Sequence, residues 1–288
     1  MASLSGNERP DLRDLLAFYA AAGVDDALED EPIDRFAESA QRAAPVPAEA
    51  SRAMPGDAGR AAAEAGRNDR AAPPRPTMAA AVPDEAQAAA ARELATKAAS
   101  LDELKQIMDA FEGCNLKATA KSLVFADGNP DADLMLIGEA PGRDEDLEGL
   151  PFVGRSGQLL DRILAAIGLD RRSAYLANVI PWRPPGNRTP TPHETEICRP
   201  FIERQIALSR PKVIVSLGGP SANLLTGSPD GILRLRGTWK SHTTADGTVI
   251  PVMPTLHPAY LLRNPAHKKL AWRDFLEVKA KLRELGSL

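Results

Sequence analysis

The stretch Asp133-Leu-Met-Leu-Ile-Gly138-Glu-Ala-Pro-Gly-Arg-Asp-Glu-Asp-Leu-Glu-Gly149-Leu-Pro-Phe-Val-Gly-Arg-Ser-Gly157-Gln-Leu-Leu160 decides the fold. A short, continuous apolar run ends in a glycine-rich turn, and a helical pattern follows over about 156–168. Near-continuous hydrophobicity marks a strand buried on both faces, as in a parallel sheet. The same unit recurs downstream. Apolar runs at Ala174–Ile180, Lys212–Leu217 and Val249–Leu256 alternate with helical patterns at about 193–209, 219–226 and 267–284. Upstream, Pro83-Asp84 opens an Ala-rich helix to about Ala98, and Ser100-Leu-Asp-Glu103 reads as a capping box that starts a helix to about Phe111. The expectation is a three-layer α/β/α domain over residues 83–288 with a mainly parallel central sheet. Ligands of such sheets sit beyond the carboxyl ends of the strands, so the residues after each strand carry the functional argument.

The N-terminal third is different. Leu12, Leu15, Leu16, Tyr19 and Ala20 recur at helical spacing behind Asp11, which predicts a short amphipathic helix within residues 1–39, either a packing helix or a docking segment. Residues 40–82 are rich in Ala, Pro, Arg and Glu and nearly free of large apolar side chains, the composition of a disordered linker. A helix on a tether suggests recruitment of a partner protein.

Composition narrows the class. With two cysteines in 288 residues the chain is no disulfide-stapled scaffold, and no apolar run approaches the roughly 18 residues of a membrane span. The first residues lack a basic and then apolar leader, which predicts a cytoplasmic, monomeric protein with no membrane partner. The net charge is −4, yet residues 1–90 carry 9 Lys and Arg against 16 Asp and Glu, whereas the rest carry 26 against 23. The C-terminal two-thirds is thus mildly basic and can meet phosphates locally.

After the first strand, the glycines at 138, 142, 149, 154 and 157 let backbone N–H groups approach a ligand. Neither a Gly-x-x-x-x-Gly-Lys-Ser/Thr nor a Gly-x-Gly-x-x-Gly pattern is present, and acids at 139, 144, 145, 146 and 148 would repel a polyphosphate. Phe152 reads either as core packing or as a flat face on which a planar ring stacks. Asn178, ending the second strand, offers a donor and an acceptor in one plane, or caps backbone. His257, on a Pro-braced turn after the fourth strand, is either a structural hydrogen-bonder or an acid–base or electrophilic group. His193, His242 and His267 lie in polar stretches without evident partners. A carboxylate, an aromatic ring, an Asn and a His together describe a site for a neutral heteroaromatic base.

Gly138-Glu-Ala-Pro-Gly-x-x-Glu-Asp-x-x-Gly-x-Pro-Phe-Val-Gly-x-x-Gly-Gln-Leu-Leu160, with Asn178, Pro184-Pro-Gly-Asn-Arg188 and His257-Pro-Ala259, resembles the family 4 uracil-DNA glycosylases over about residues 110–285. The resemblance implies hydrolysis of the N-glycosidic bond of deoxyuridine in single- or double-stranded DNA, leaving an abasic site. It implies that Gly138, Glu139 and Ala140 line the uracil pocket, that Phe152 stacks, that Asn178 reads the base edge and that His257 faces uracil O2. Glu145 and Asn187 match polar positions around the reacting sugar and water, with Glu139 and Glu145 both open as the carboxylate that orients the water. Ala140 stands where other uracil-glycosylase families carry a water-activating Asp. Family 4 members usually hold a [4Fe–4S] cluster on four cysteines. Cys114 and Cys198 match two of these positions, but Phe111 and Trp182 occupy the others. Four thiolates are needed, so the expectation is no cluster, no other metal, and apolar packing in that volume.

Tyr260-Leu-Leu-Arg-Asn-Pro265, followed by Lys268, Lys269 and Arg273, is the expected DNA-facing segment. In it Leu261, Leu262 or Arg263 either fills the gap left by a flipped nucleotide or belongs to an ordinary helix-start loop. Two other functions compete. A uracil- or abasic-site binding protein with little turnover is one; relatives that trap DNA carry a Lys-Arg-Arg-Ile-His insert where this chain has Pro-Pro-Gly-Asn-Arg. A metal-dependent nucleotide hydrolase built on the acidic loop is the other, and it predicts sensitivity to EDTA.

Overall fold

The computed structural model describes residues 84–287. The predicted helix within 1–39 and the linker 40–82 lie outside the described residues.

Two helices precede the sheet, α1 (Asp84–Lys97) and α2 (Leu101–Ala110). Ser100 caps α2 by accepting from the Glu103 N–H at 3.2 Å, and the Glu103 carboxylate reaches back to the Ala99 N–H at 2.7 Å. The strands are β1 (Asp127–Gly128), β2 (Leu134–Gly138), β3 (Tyr175–Asn178), β4 (Val213–Leu217), β5 (Lys240–Thr243) and β6 (Val249–Thr255). They form one sheet in the order β1-β3-β2-β4-β6-β5, whose inner four strands are parallel and whose two edge strands are antiparallel. The mainly parallel sheet expected from sequence is therefore present, with both antiparallel edges added to it.

Period-two alternation assigns the faces. Met135, Ile137, Tyr175, Ala177, Ile214 and Val252 pack on one side against α1, α2 and α5 (Pro192–Ser209). Leu134, Leu136, Leu176, Val213, Val215 and Met253 pack on the other against α4 (Arg155–Ala166) and α9 (Lys268–Glu284). Short helices α3 (Arg143–Glu148), α6 (Gly219–Thr226), α7 (Ile232–Leu235) and α8 (Pro258–Arg263) follow β2, β4 and β6 or lie between strands. Among the described residues, no helix is long and apolar enough to cross a membrane.

The chain leaves β2 for β3 on one side and returns to β4 on the other, so the order reverses at the carboxyl end of β2. A crevice opens at such a switch point. Gly138 and Asn178 stand directly opposite each other there, as the last pair of the β2–β3 ladder.

Candidate active site

A crevice of about 360 Å³ lies at these strand ends, lined by Glu139, Ala140, Glu145, Phe152, Asn178, Asn187, His257 and Arg263, among others. That volume is in the range of small-molecule sites. Of the residues expected at the base or the reacting sugar, all but Gly138 line it, and Gly138 ends β2 against Asn178 and Phe152.

The strand end is tight. A Cβ on Gly138 would stand 2.4 Å from Asn178 Oδ1 and 2.7 Å from Phe152 Cζ, so only glycine lets the amide and the ring close over the strand end. Asn178 is buried, yet its amide makes no hydrogen bond within the described protein and keeps both its donor and its acceptor for a ligand.

Phe152 is held in the left-handed region at φ 56°, which costs a non-glycine residue of order 1–3 kcal/mol. An arginine absent from the expected site set holds it there. Arg171 donates to the carbonyls of Pro151 (3.3 Å) and Phe152, and pairs with Asp127 at 2.5 Å and Asp161 at 2.8 Å. Gly157 completes the fit, because a Cβ there would overlap the Phe152 carbonyl oxygen at 1.6 Å. The ring is 4% exposed and its centroid lies 6.0 Å from the His257 ring. Phe152 thus packs in the core beside the strand end and also lines the crevice.

His257 caps α8. Its Nδ1 accepts from the Ala259 N–H at 3.1 Å, which places the proton of the neutral ring on Nε2. Burial, with a smaller contribution from the Arg263 charge, lowers its pKa to about 4. The imidazole is therefore neutral at pH 7 and has one N–H to give.

The two carboxylates differ. Glu145 spends both oxygens on backbone, Oε2 on the Gly142 N–H at 3.1 Å and Oε1 on the Gly154 N–H at 3.0 Å. It ties the start of α3 to the start of α4. The Glu139 side chain makes no hydrogen bond within the described protein, and burial raises its pKa above the usual carboxylate range.

The loop between β3 and α5 carries Asn187, also left-handed at φ 56°. Arg183 Nε donates to Asn187 Oδ1 at 2.7 Å. Arg188 pairs with the buried Glu194 through two hydrogen bonds of 2.8 and 2.6 Å, and this partner holds the Glu194 carboxyl down at about 2. Thr191 and Glu194 form a capping box that starts α5, a pattern in the sequence from which that anchor could have been read.

In the expected DNA-facing segment, Leu261 is 1% exposed and packs with Leu256 and Ala271, which removes it as a wedge. Leu262 is half-buried, whereas Arg263, Lys268 and Lys269 are exposed. Two of the histidines without evident partners have them: the His267 ring stacks on Tyr260 and meets its hydroxyl at 2.9 Å, and His242 Nδ1 lies 3.1 Å from the Leu225 carbonyl oxygen.

The four positions matching cluster ligands do not suit a [4Fe–4S] group. Trp182 is 1% exposed, and the Phe111 ring lies over Gly113 and edge-on to Phe201 at 5.1 Å. Cys114 and Cys198 are buried, unbridged, and have sulfurs 3.9 Å apart. The Cys114 sulfur, burial and the Glu194 carboxylate push the Cys198 thiol well up, so it stays protonated.

Comparison with known proteins places the site in context. The family model of the uracil DNA glycosylase superfamily matches residues 125–276. A type-4 uracil-DNA glycosylase of Saccharolobus solfataricus is 39% identical over 63% of this chain and 88% of its own. That of Archaeoglobus fulgidus is 39% identical over 62% of this chain and 92% of its own. That of Thermotoga maritima is 36% identical over 66% and 99%.

Proposed function

The chain belongs to the uracil DNA glycosylase superfamily, and from this premise we propose that the crevice receives a uracil flipped out of DNA and that the protein hydrolyses its N-glycosidic bond. It is a DNA-repair glycosylase that leaves an abasic site. The neutral, tautomer-fixed His257, the unpaired Asn178 amide and the Phe152 ring, brought together in one crevice, carry this reading. It is a set of groups for an uncharged planar base.

Flipping costs a few kcal/mol and gives access to the bond. Phe152 stacks on the base. Asn178 donates to uracil O4 and accepts from N3–H, whereas cytosine would set a donor against a donor and leave buried polar groups unpaired. Mismatches of that kind reject a ligand by orders of magnitude. As the bond breaks, negative charge grows on uracil O2 and positive charge on the sugar. His257 Nε2–H donates to O2, a contribution of about 3 kcal/mol for a well-placed donor.

Glu139, whose carboxylate makes no hydrogen bond within the described protein, supports the sugar cation and accepts a proton from the attacking water, whereas each Glu145 oxygen already accepts a backbone N–H. Glu145 acts by holding Gly142 and Gly154 in place. Gly138 and Ala140 shape the pocket wall. Leu262, Arg263, Lys268 and Lys269 meet the DNA backbone and the gap left by the base.

The enzyme works without a [4Fe–4S] cluster, the two aromatic side chains filling that volume, and uses no other metal. It acts as a cytoplasmic monomer on single- or double-stranded DNA, and residues 1–39, tethered by 40–82 to the domain 83–288, engage a repair or replication partner.

A uracil-containing oligonucleotide, treated with protein in EDTA and then with alkali, tests the reading. Alkali-dependent cleavage by the wild type and its loss in His257→Ala are expected. Tight abasic-DNA binding without uracil release would identify a lesion-binding protein, and activity abolished by EDTA would point to the metal-dependent hydrolase.

A further inference from the structure

Next to the crevice, α4, α8 and α9 enclose a groove of about 320 Å³ whose apolar wall is made by Leu159, Ile163, Leu261 and Trp272. Trp272 is 41% exposed, and Leu276, one turn further along α9, is exposed to the same extent. A ring of that size left half in water offers a large flat contact surface. The rest of the lining is positive. Arg162, Lys268 and Lys269 stand on it, none of the three has an ion-pair partner among the described residues, and no carboxylate lines the groove. The two hollows share one wall, since Ala259, Tyr260 and Arg263 of α8 line the crevice and Leu261 lines the groove.

We propose that this groove is a second nucleic-acid site, in which the Trp272 indole stacks on an unpaired base of the strand whose uracil occupies the crevice, while Arg162, Lys268 and Lys269 meet that strand's phosphates. The inference rests on the glycosylase reading above and adds a substrate preference to it. Single strands are held by aromatic faces for the bases and by cations for the backbone, with no reading of sequence. In a duplex each base face is covered by its neighbours, so the indole finds no partner there. The groove thus favours uracil in single-stranded tracts. Uncompensated cations would also attract an acidic peptide, but the shared wall selects the strand already bound. A helix is about 10 Å across with its side chains, and an extended strand passes over it within a few nucleotides.

Fluorescence anisotropy with the full-length protein and uracil-free oligonucleotides tests the site. Trp272→Ala is expected to weaken binding of a single strand about tenfold, the worth of one base–aromatic stack, and to leave binding of a blunt duplex unchanged. Trp272→Tyr, which keeps a ring face, should retain most of the affinity. An oligomer of the same length whose sugars carry no bases should bind wild type and Trp272→Ala alike. On single strands containing uracil, Trp272→Ala should raise the half-saturating DNA concentration by the same factor with the maximal rate of uracil release unchanged. An unchanged affinity, an equal loss on duplex or on the base-free oligomer, or a change of oligomeric state in place of a change in DNA binding would overturn the groove assignment and leave the glycosylase intact. A wild type that releases no uracil, yet keeps the Trp272-dependent grip on single strands, would overturn the glycosylase reading and leave the groove. If Trp272→Ala does not fold, Trp272→Leu, apolar but without a ring face, carries the same comparison.

Discussion

At Gly138 the lack of a single carbon decides whether there is a pocket. Asn178 Oδ1 and Phe152 Cζ both lie under 3 Å from the place a methyl group would take, so Gly138→Ala displaces the amide and the ring together. Misplacement of about 1 Å costs roughly a hundredfold in rate, so single-turnover uracil release should fall by at least that factor while the melting temperature changes little. His257 gives a pH prediction. Its pKa is about 4 in the fold and about 6.5 when unfolded. The unfolded chain thus binds the extra proton first, and this group's stabilising effect is complete above pH 6.5 and is lost as pH falls toward 4. An NMR titration should show a ring that stays neutral from pH 8 to pH 5; a midpoint near 6.5 would contradict the burial of the ring. In the role proposed for it, Glu139 must be ionised to accept a proton, and burial raises its pKa, so the acid limb of the maximal rate should lie above an ordinary glutamate's pKa and vanish in Glu139→Gln. At this scale the sequence names the candidate groups and is silent about their division of labour. Glu139 and Glu145 are equivalent as letters; in the fold Glu145 accepts two backbone N–H groups, whereas Glu139 makes no hydrogen bond within the described protein and is raised by burial.

Among elements, the inner strands β2, β3, β4 and β6 were legible because burial on both faces demands unbroken apolar runs. The edges were not. β5 reads Lys-Ser-His-Thr, polar because it meets water along one side, and β1 is two residues long. The helix α3 was hidden by its own acids, which resemble a loop, although they sit in a first turn where the helix dipole favours them. Arg171 was equally invisible, since its partners Asp127 and Asp161 lie on β1 and α4 and meet only in the fold. Arg171→Met should release the loop at Phe152. The expected loss is about 2 kcal/mol in urea denaturation, together with weaker uracil binding, and an unchanged affinity would show that Phe152 keeps its conformation without the arginine.

For the molecule as a whole, charge is the readable quantity. A chain of net −4 binds a polyanion only through local basic groups, and the proposed ones are Arg263, which lines the crevice, and Lys268 and Lys269, exposed at the start of α9. Replacing both lysines with alanine should lower the slope of log affinity against log salt by about 2, and an unchanged slope would place the DNA elsewhere. The folded mass can also be read for what it asks of its surroundings. On the cluster-free reading proposed above, two rings and two thiols close the core from the chain's own atoms. Such a protein matures as soon as it is synthesised. Its supply tracks translation alone, indifferent to iron starvation or to peroxide that strips exposed clusters, conditions under which a genome still accumulates deaminated cytosine.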